Sequence, residues 1–173
     1  DMEIVTWVLS GELEHKDSEK NRGVLYPGLA QRMSAGRGIW HSEMNNSGTD
    51  DVHFVQMWVT PDTESVDPGY EQLDINDELA KGGLVPIASG KGHDAAISIR
   101  QAGAVLYGGR LHAGETVRVP DDRHVHVDVS GQRGPRFERV SRSGVPERVV
   151  EAHAADTGAA VRTMTARRMA NSA

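Results

Sequence analysis

His41 and Glu43 stand two residues apart in the run Gly-Arg-Gly-Ile-Trp-His-Ser-Glu-Met-Asn at positions 36–45. In an extended strand, side chains at i and i+2 project to one face. The strand opens from a glycine turn, and an imidazole and a carboxylate that point together into a β barrel make half of a metal site. The other half has to come from elsewhere in the chain. A divalent metal with an open coordination position can accept a chelating substrate or dioxygen.

The remaining chemistry-bearing residues compete weakly. His124 and His126 form a His-x-His pair with Asp128 on the same face and could in principle supply two ligands. His53, His93, His112 and His153 show no convergent partners. His15 shares a strand face with Leu13, which places it either in the lining of a pocket or in the core. With no cysteine in the chain, disulfides, zinc-thiolate sites and thiol nucleophiles are excluded. There is no Gly-x-Ser-x-Gly elbow, no phosphate-cradling Gly-x-x-x-x-Gly-Lys and no dinucleotide fingerprint in a βαβ setting.

The elements that must position these residues read as short strands separated by turn residues. Glu3 to Leu9 is rich in β-branched and aromatic residues, and Ser10-Gly11 supplies a turn that would lead, as a hairpin, into a strand over Glu12 to Asp17. Val24 to Tyr26 and Gln31 to Ala35 flank Pro27-Gly28, whose residues suit the two centres of a type II turn. Val52 to Thr60 alternates cleanly, Val52, Phe54, Gln56 and Trp58 against His53, Val55, Met57 and Val59. Strands at this spacing indicate an all-β sandwich or barrel. A Pro/Gly/acid-rich connector follows, with one short helix expected over Asp74 to Lys81 and ended by Gly82-Gly83. Five further strand-like runs lie at Leu84 to Ala88, Ala96 to Arg100, Ala104 to Tyr107, Thr116 to Val119 and His124 to Val129. The expected organisation is a first domain at 1–62, a connector at 63–83, a partial second domain at 84–130 and a divergent basic tail at 131–173.

The 173-residue chain is long enough for a buried core without cross-links. Its net charge of −6 is unevenly spread: residues 1–130 carry 11 Lys and Arg against 21 Asp and Glu, and residues 131–173 carry 8 Arg against 4 acids. An acidic body repels phosphate, so direct nucleic-acid binding is not expected. The scattered basic charges of the tail read as a solvated segment. No apolar run reaches the 18 or so residues needed to span a bilayer, and no charged-then-apolar leader opens the chain, so a cytoplasmic protein without membrane attachment is expected.

Three stretches, MEIVTWVLSGELEHKDS, YPGLAQRMSAGRGIWHSEMN and VHFVQMWVTP, occur in the order and spacing that resemble the N-terminal cupin domain of the pirin family, specifically its bacterial quercetin 2,3-dioxygenase-like members. The resemblance implies a double-stranded β-helix (jelly-roll) fold in a bicupin that is cut short at both ends, with the expected first strands absent. It implies one divalent metal ion, Fe(II), held by three histidines and a glutamate. His41 and Glu43 match the family's second ligand pair, with Glu43 as an alternative base, and the first pair would lie just before Asp1. Many cupins place a metal-binding glutamate where Glu3 stands, so Glu3 joins His15 and Gln31 as pocket candidates; Arg32 and Met33 fall in the same motif. The implied substrates are a flavonol and dioxygen. The family also contains iron-binding regulators that are not catalysts. Missing barrel strands would leave open sheet edges that invite self-association.

Overall fold

The computed structural model describes residues 1–112, 115–120, 122, 125, 127–129, 136–138, 149–151 and 164–166. The elements are β1 (Glu3–Ser10), β2 (Leu13–Asp17), β3 (Arg22–Leu25), β4 (Leu29–Ser34), β5 (His41–Asn45), β6 (Val52–Val59), β7 (Gly69–Asp74), α1 (Asn76–Leu79), β8 (Val85–Ser89), β9 (Ile97–Ser98), β10 (Val105–Gly108), β11 (Thr116–Arg118), β12 (Val127–Val129), β13 (Arg136–Glu138), β14 (Val149–Glu151) and β15 (Met164–Ala166). The expected all-β class holds, and α1 is a single turn, shorter than the sequence suggests.

Two compact units divide the chain. The first comprises residues 1–76, 86–107 and 163–173, and the second comprises 77–85 and 108–162. In the first, β15-β6-β1-β4-β7 form one sheet and β3-β2-β5 another. Every pairing within these two sheets is antiparallel. A small sheet, β10-β8-β9, accompanies them. In the second unit, β11 pairs with β14 and β12 with β13.

The hairpin expected at Ser10-Gly11 does not form. β1 pairs with β4 and β6, whereas β2 pairs with β3 and β5, so the turn carries the chain from one sheet to the other. Gly11 makes that passage at φ +77°, and a Cβ there would lie 2.6 Å from the Asp51 carbonyl oxygen. The connector also departs from expectation, because β7 lies within it and pairs with β4 along its whole length. Its sequence, GYEQLD, has no apolar alternation to announce a strand. Residues 86–107, expected in a second domain, belong to the first unit. The segment expected to stand apart as a tail supplies β13, β14 and β15, and β15 adds to the large sheet beside β6.

Register sorts the large sheet into two faces. Residues directly opposite one another share a face, so Ile4, Met33, Trp58 and Tyr70 form one row, and Thr6, Gln31, Gln56 and Gln72 the next. Beyond them Val8, Leu29, Val52 and Phe54 pack with Leu13 and Leu25 of the second sheet in a buried apolar cluster. This cluster closes one end of the space between the sheets. Burial of such a group is the dominant favourable term in holding the two layers together, at roughly 25 cal/mol per Å² of apolar surface. The opposite face of the large sheet carries Glu3, Arg32 and Glu71. All six residues of β4 are buried, although Gln31, Arg32 and Ser34 are polar, and such groups need partners.

Candidate metal site

The β2–β5 ladder builds the site. Its register sets His15 opposite Glu43 and Asp17 opposite His41, so four ionisable side chains occupy a two-by-two grid on the inner face. Period two accounts for both pairs, His15 with Asp17 and His41 with Glu43. His15 is fully buried, its Nε2 is 3.4 Å from Asp17 Oδ2, and its Nδ1 is 3.7 Å from Glu43 Oε1. The His15 and His41 rings stack with centroids 6.1 Å apart, and Tyr70 lies on His15 at 5.4 Å. His41 is exposed and Glu43 is partly buried.

Electrostatics follow from the grid. Burial alone would push the His15 pKa down, but Glu43 and Asp17 favour the imidazolium and leave it raised. Burial likewise opposes ionisation of Asp17, and the hydrogen bonds from the Asn21 side chain and backbone, with His15, hold its carboxyl below the ordinary value. Burial raises the Tyr70 hydroxyl.

Glu43 is also gripped from the large sheet. Gln56 Nε2 donates to Glu43 Oε2 at 2.6 Å, and Trp58 Nε1 donates to Gln56 Oε1 at 2.9 Å. Because indole N–H can only donate, the Gln56 carbonyl must face Trp58 and its NH₂ must face Glu43. The Gln56 NH₂ also approaches Thr6 Oγ1 at 3.4 Å.

Of the residues expected at a site, His15, His41 and Glu43 are brought together, and Gln31 lies in the polar row of the facing sheet. Glu3 is elsewhere. It points from the opposite face of the large sheet, where it receives the Arg100 backbone N–H at 3.2 Å and ion-pairs with Arg100 at 3.6 Å and Arg32 at 3.9 Å. Arg32 in turn binds Glu71 at 2.7 Å and the Ser98 carbonyl at 3.0 Å, which makes this a structural network holding residues 98–100 onto the sheet. Met33 packs in the core. His124 and His126 lie outside the described residues, as does His153, and nothing is described of the Asp128 side chain. Asp17, Gln56 and Tyr70 were not anticipated. A glutamine standing among Phe54 and Trp58 on an otherwise apolar face was the available signal for Gln56.

The donors fit a divalent ion in part. His41 and Glu43 offer nitrogen and oxygen on one face, and the buried His15 Nδ1 has no hydrogen-bond partner. Among the described residues, however, no three His, Cys, Asp or Glu side chains converge as a ligand set. Both His15 nitrogens are directed at carboxylates. The described residues therefore hold half a site.

The Pirin family model matches residues 1–59. A Mycobacterium tuberculosis protein provisionally named quercetin 2,3-dioxygenase is 57% identical over 131 residues, which cover 75% of this chain and 54% of that protein. Quercetin 2,3-dioxygenase of Escherichia coli K12 is 40% identical over 101 residues, 58% of this chain and 42% of the relative. The chain thus spans about half the length of the curated relatives it matches. The crystal structure of YhhW from Escherichia coli has a TM-score of 0.64 at 32% identity, covering 80% of this chain and 61% of that one. The structure of this bacterial pirin in complex with nickel(II) gives a TM-score of 0.61 at 29% identity, with the same coverage.

Proposed function

The chain belongs to the pirin family, with its cupin fold, and on that premise we propose that it is a metal-dependent dioxygenase acting on a flavonol such as quercetin. The observation that carries the reading is the placement of His41 and Glu43 on one inner face, with Glu43 fixed by Gln56. His41 and Glu43 would hold a divalent ion, Fe(II) in this proposal, and the other ligands are not among the described residues. The ion would supply Lewis acidity that lowers the pKa of a chelating hydroxyl. Glu43 is, in this proposal, the alternative base for that proton. Among the described residues no helix is long and apolar enough to cross a membrane; the substrates in this proposal are a small molecule and dioxygen, and the setting proposed is cytoplasmic.

The incomplete ligand set favours a second reading, a metal-binding regulatory protein without turnover, or a chain in which the activity is lost. Anaerobic loading with Fe(II), followed by elemental analysis, separates metal binding from its absence. Stoichiometric iron that His41→Ala abolishes, with oxygen uptake on quercetin, supports the dioxygenase. Iron without oxygen uptake supports the regulator. Iron absent from both forms removes the metal site from the chain.

A further inference from the structure

One chain presents half a cation site, and the strand that carries it is an edge. Among the described residues β5 pairs with β2 alone. Asn46 N–H donates to the Glu12 carbonyl at 3.0 Å, and Ser18 N–H donates to the Trp40 carbonyl at 2.9 Å. Antiparallel ladders alternate hydrogen-bonded and non-hydrogen-bonded pairs. Trp40, Ser42, Met44 and Asn46 therefore turn their backbone groups toward β2, and His41, Glu43 and Asn45 turn theirs outward. Outward groups of this kind are a template for a further strand.

A second copy of β5 fits this edge in one register. Two copies related by a two-fold axis pair antiparallel, and the outward groups meet when the axis passes beside a single residue. Centred on Glu43, the pairing sets that carboxylate against the partner's Glu43. Centred on His41, it sets Glu43 against the partner's Ile39, and centred on Met44, against the partner's Asn45. Centred on Ser42, it sets His41 against the partner's Glu43 and Glu43 against the partner's His41 on the inner face. The same register sets Met44, 52% exposed, against the partner's Trp40, 86% exposed, on the outer face. A thioether on an indole is a favourable contact, so charge and apolar surface select the same register. The inner face then reads Asp17, His41, the partner's Glu43 and the partner's His15 across four strands, each carboxylate beside an imidazole.

We propose that β5 pairs with β5 of a second copy about Ser42, and that His41 and Glu43, with the partner's His41 and the partner's Glu43, are the ligands of one divalent cation shared at the two-fold axis. The inference rests on the metal-site reading and names the partner that completes it, but it does not require turnover. Two imidazoles and two carboxylates suit a first-row divalent metal. The ion also offsets the two negative charges that the pairing brings together. Pairing over a five-residue strand is small beside the roughly 1,200–2,000 Å² of a stable interface, so the metal-free dimer is weak and the cation tightens it.

The chain has no cysteine, so a single introduced thiol cross-links only through another copy. Residues at the proposed axis form a non-hydrogen-bonded pair with Cα atoms about 4.5 Å apart, within the span of a disulfide. Ser42→Cys treated with diamide is expected to give a covalent dimer, and Met44→Cys, whose counterpart lies out of register, to cross-link far more slowly. In sedimentation equilibrium of the full chain, replacing EDTA by nickel(II) is expected to lower the dimer dissociation constant by about tenfold or more. Calorimetric titration should give one nickel per two chains, and His41→Ala should keep its melting temperature and lose the nickel dependence. Nickel bound one per chain with no change in mass, a mass that stays monomeric with and without nickel, or cross-linking at Met44 as fast as at Ser42 overturns the proposal. Oxygen uptake on quercetin after Fe(II) loading is scored separately. A nickel-dependent dimer without uptake removes the dioxygenase and leaves the shared site; uptake by a species that sediments as a monomer keeps the dioxygenase and removes the shared site.

Discussion

The two oxygens of Glu43 have different neighbours, and that difference sets what the carboxylate can do. Oε2 accepts from Gln56, whose orientation Trp58 fixes, so Oε1 is the oxygen left toward His15 or a cation. Partners of this kind orient metal ligands, and their loss typically costs 10–100-fold in metal affinity. Gln56→Leu is therefore expected to weaken nickel(II) binding by about tenfold in calorimetric titration; unchanged affinity would mean that Glu43 needs no such support. On the other face of the sheet, Glu71 makes a second prediction. Burial tends to raise its pKa, but the Arg32 guanidinium and the Ser98 donors lower it below the ordinary value of 4.5. A depressed folded-state pKa stabilises the fold above the unfolded value, and that contribution is lost as pH falls through the folded one. Melting temperature followed from neutral pH to below 4.5 should fall less steeply in Glu71→Gln than in the wild type, and parallel curves would show that Glu71 contributes nothing to acid sensitivity. The glycine-flanked motif that resembles the family, more than the i, i+2 spacing itself, made His41 and Glu43 legible in the sequence. The cross-strand partner His15 could be named only as a pocket candidate, Gln56 showed only as a polar residue on an apolar strand face, and Asp17 not at all, because register between distant strands is not written in local pattern.

Turn chemistry was the most legible feature among the elements. Tyr26-Pro27-Gly28-Leu29 closes with Leu29 N–H donating to the Tyr26 carbonyl at 3.1 Å, and Gly28 has φ +93°, as a type II turn requires. A Cβ on Gly28 would also collide with the Asn76 side chain, at 2.2 Å from Oδ1. Gly28→Ala is expected to cost about 1–3 kcal/mol in urea unfolding, from the left-handed backbone and the displaced Asn76. A cost below a few tenths would mean that the turn relaxes freely. Six of the first seven strands were readable, β1, β2 and β6 from β-branched content or alternation and the short β3, β4 and β5 from the turns that bound them. The exception, β7, is polar and half exposed, so nothing in its composition distinguishes a strand from a loop; its pairing with β4 supplies the order that its own sequence does not. The failed hairpin at Ser10-Gly11 has a related cause. A glycine turn between two strands is equally compatible with pairing them and with sending them to different sheets, and the burial of Val8 and Leu13 in one core cluster between the sheets goes with the second.

At the scale of the whole molecule, the sheet order leaves β5 with β2 as its one strand neighbour among the described residues. His41, Ser42 and Met44 on this strand are exposed, and Trp40 just before it is 86% exposed. The strand that carries the proposed ligands is thus also an edge. An edge strand presents unpaired backbone donors and acceptors, and exposed apolar side chains beside it strengthen its tendency to pair with another copy. Concentration-dependent association is accordingly expected in sedimentation equilibrium. Met44 lies opposite Glu14 on the outer face of the ladder, and Glu14 already binds Lys16 at 2.8 Å and Arg22 at 3.0 Å. Met44→Lys would place a charge on the edge without entering the inner grid, because Met44 alternates with His41's partner Glu43. The variant should reduce association while leaving the melting temperature in place. A wild-type mass that stays monomeric over the whole concentration range would show that the β5 edge is already protected, and an unchanged association constant in Met44→Lys would move the contact to another surface.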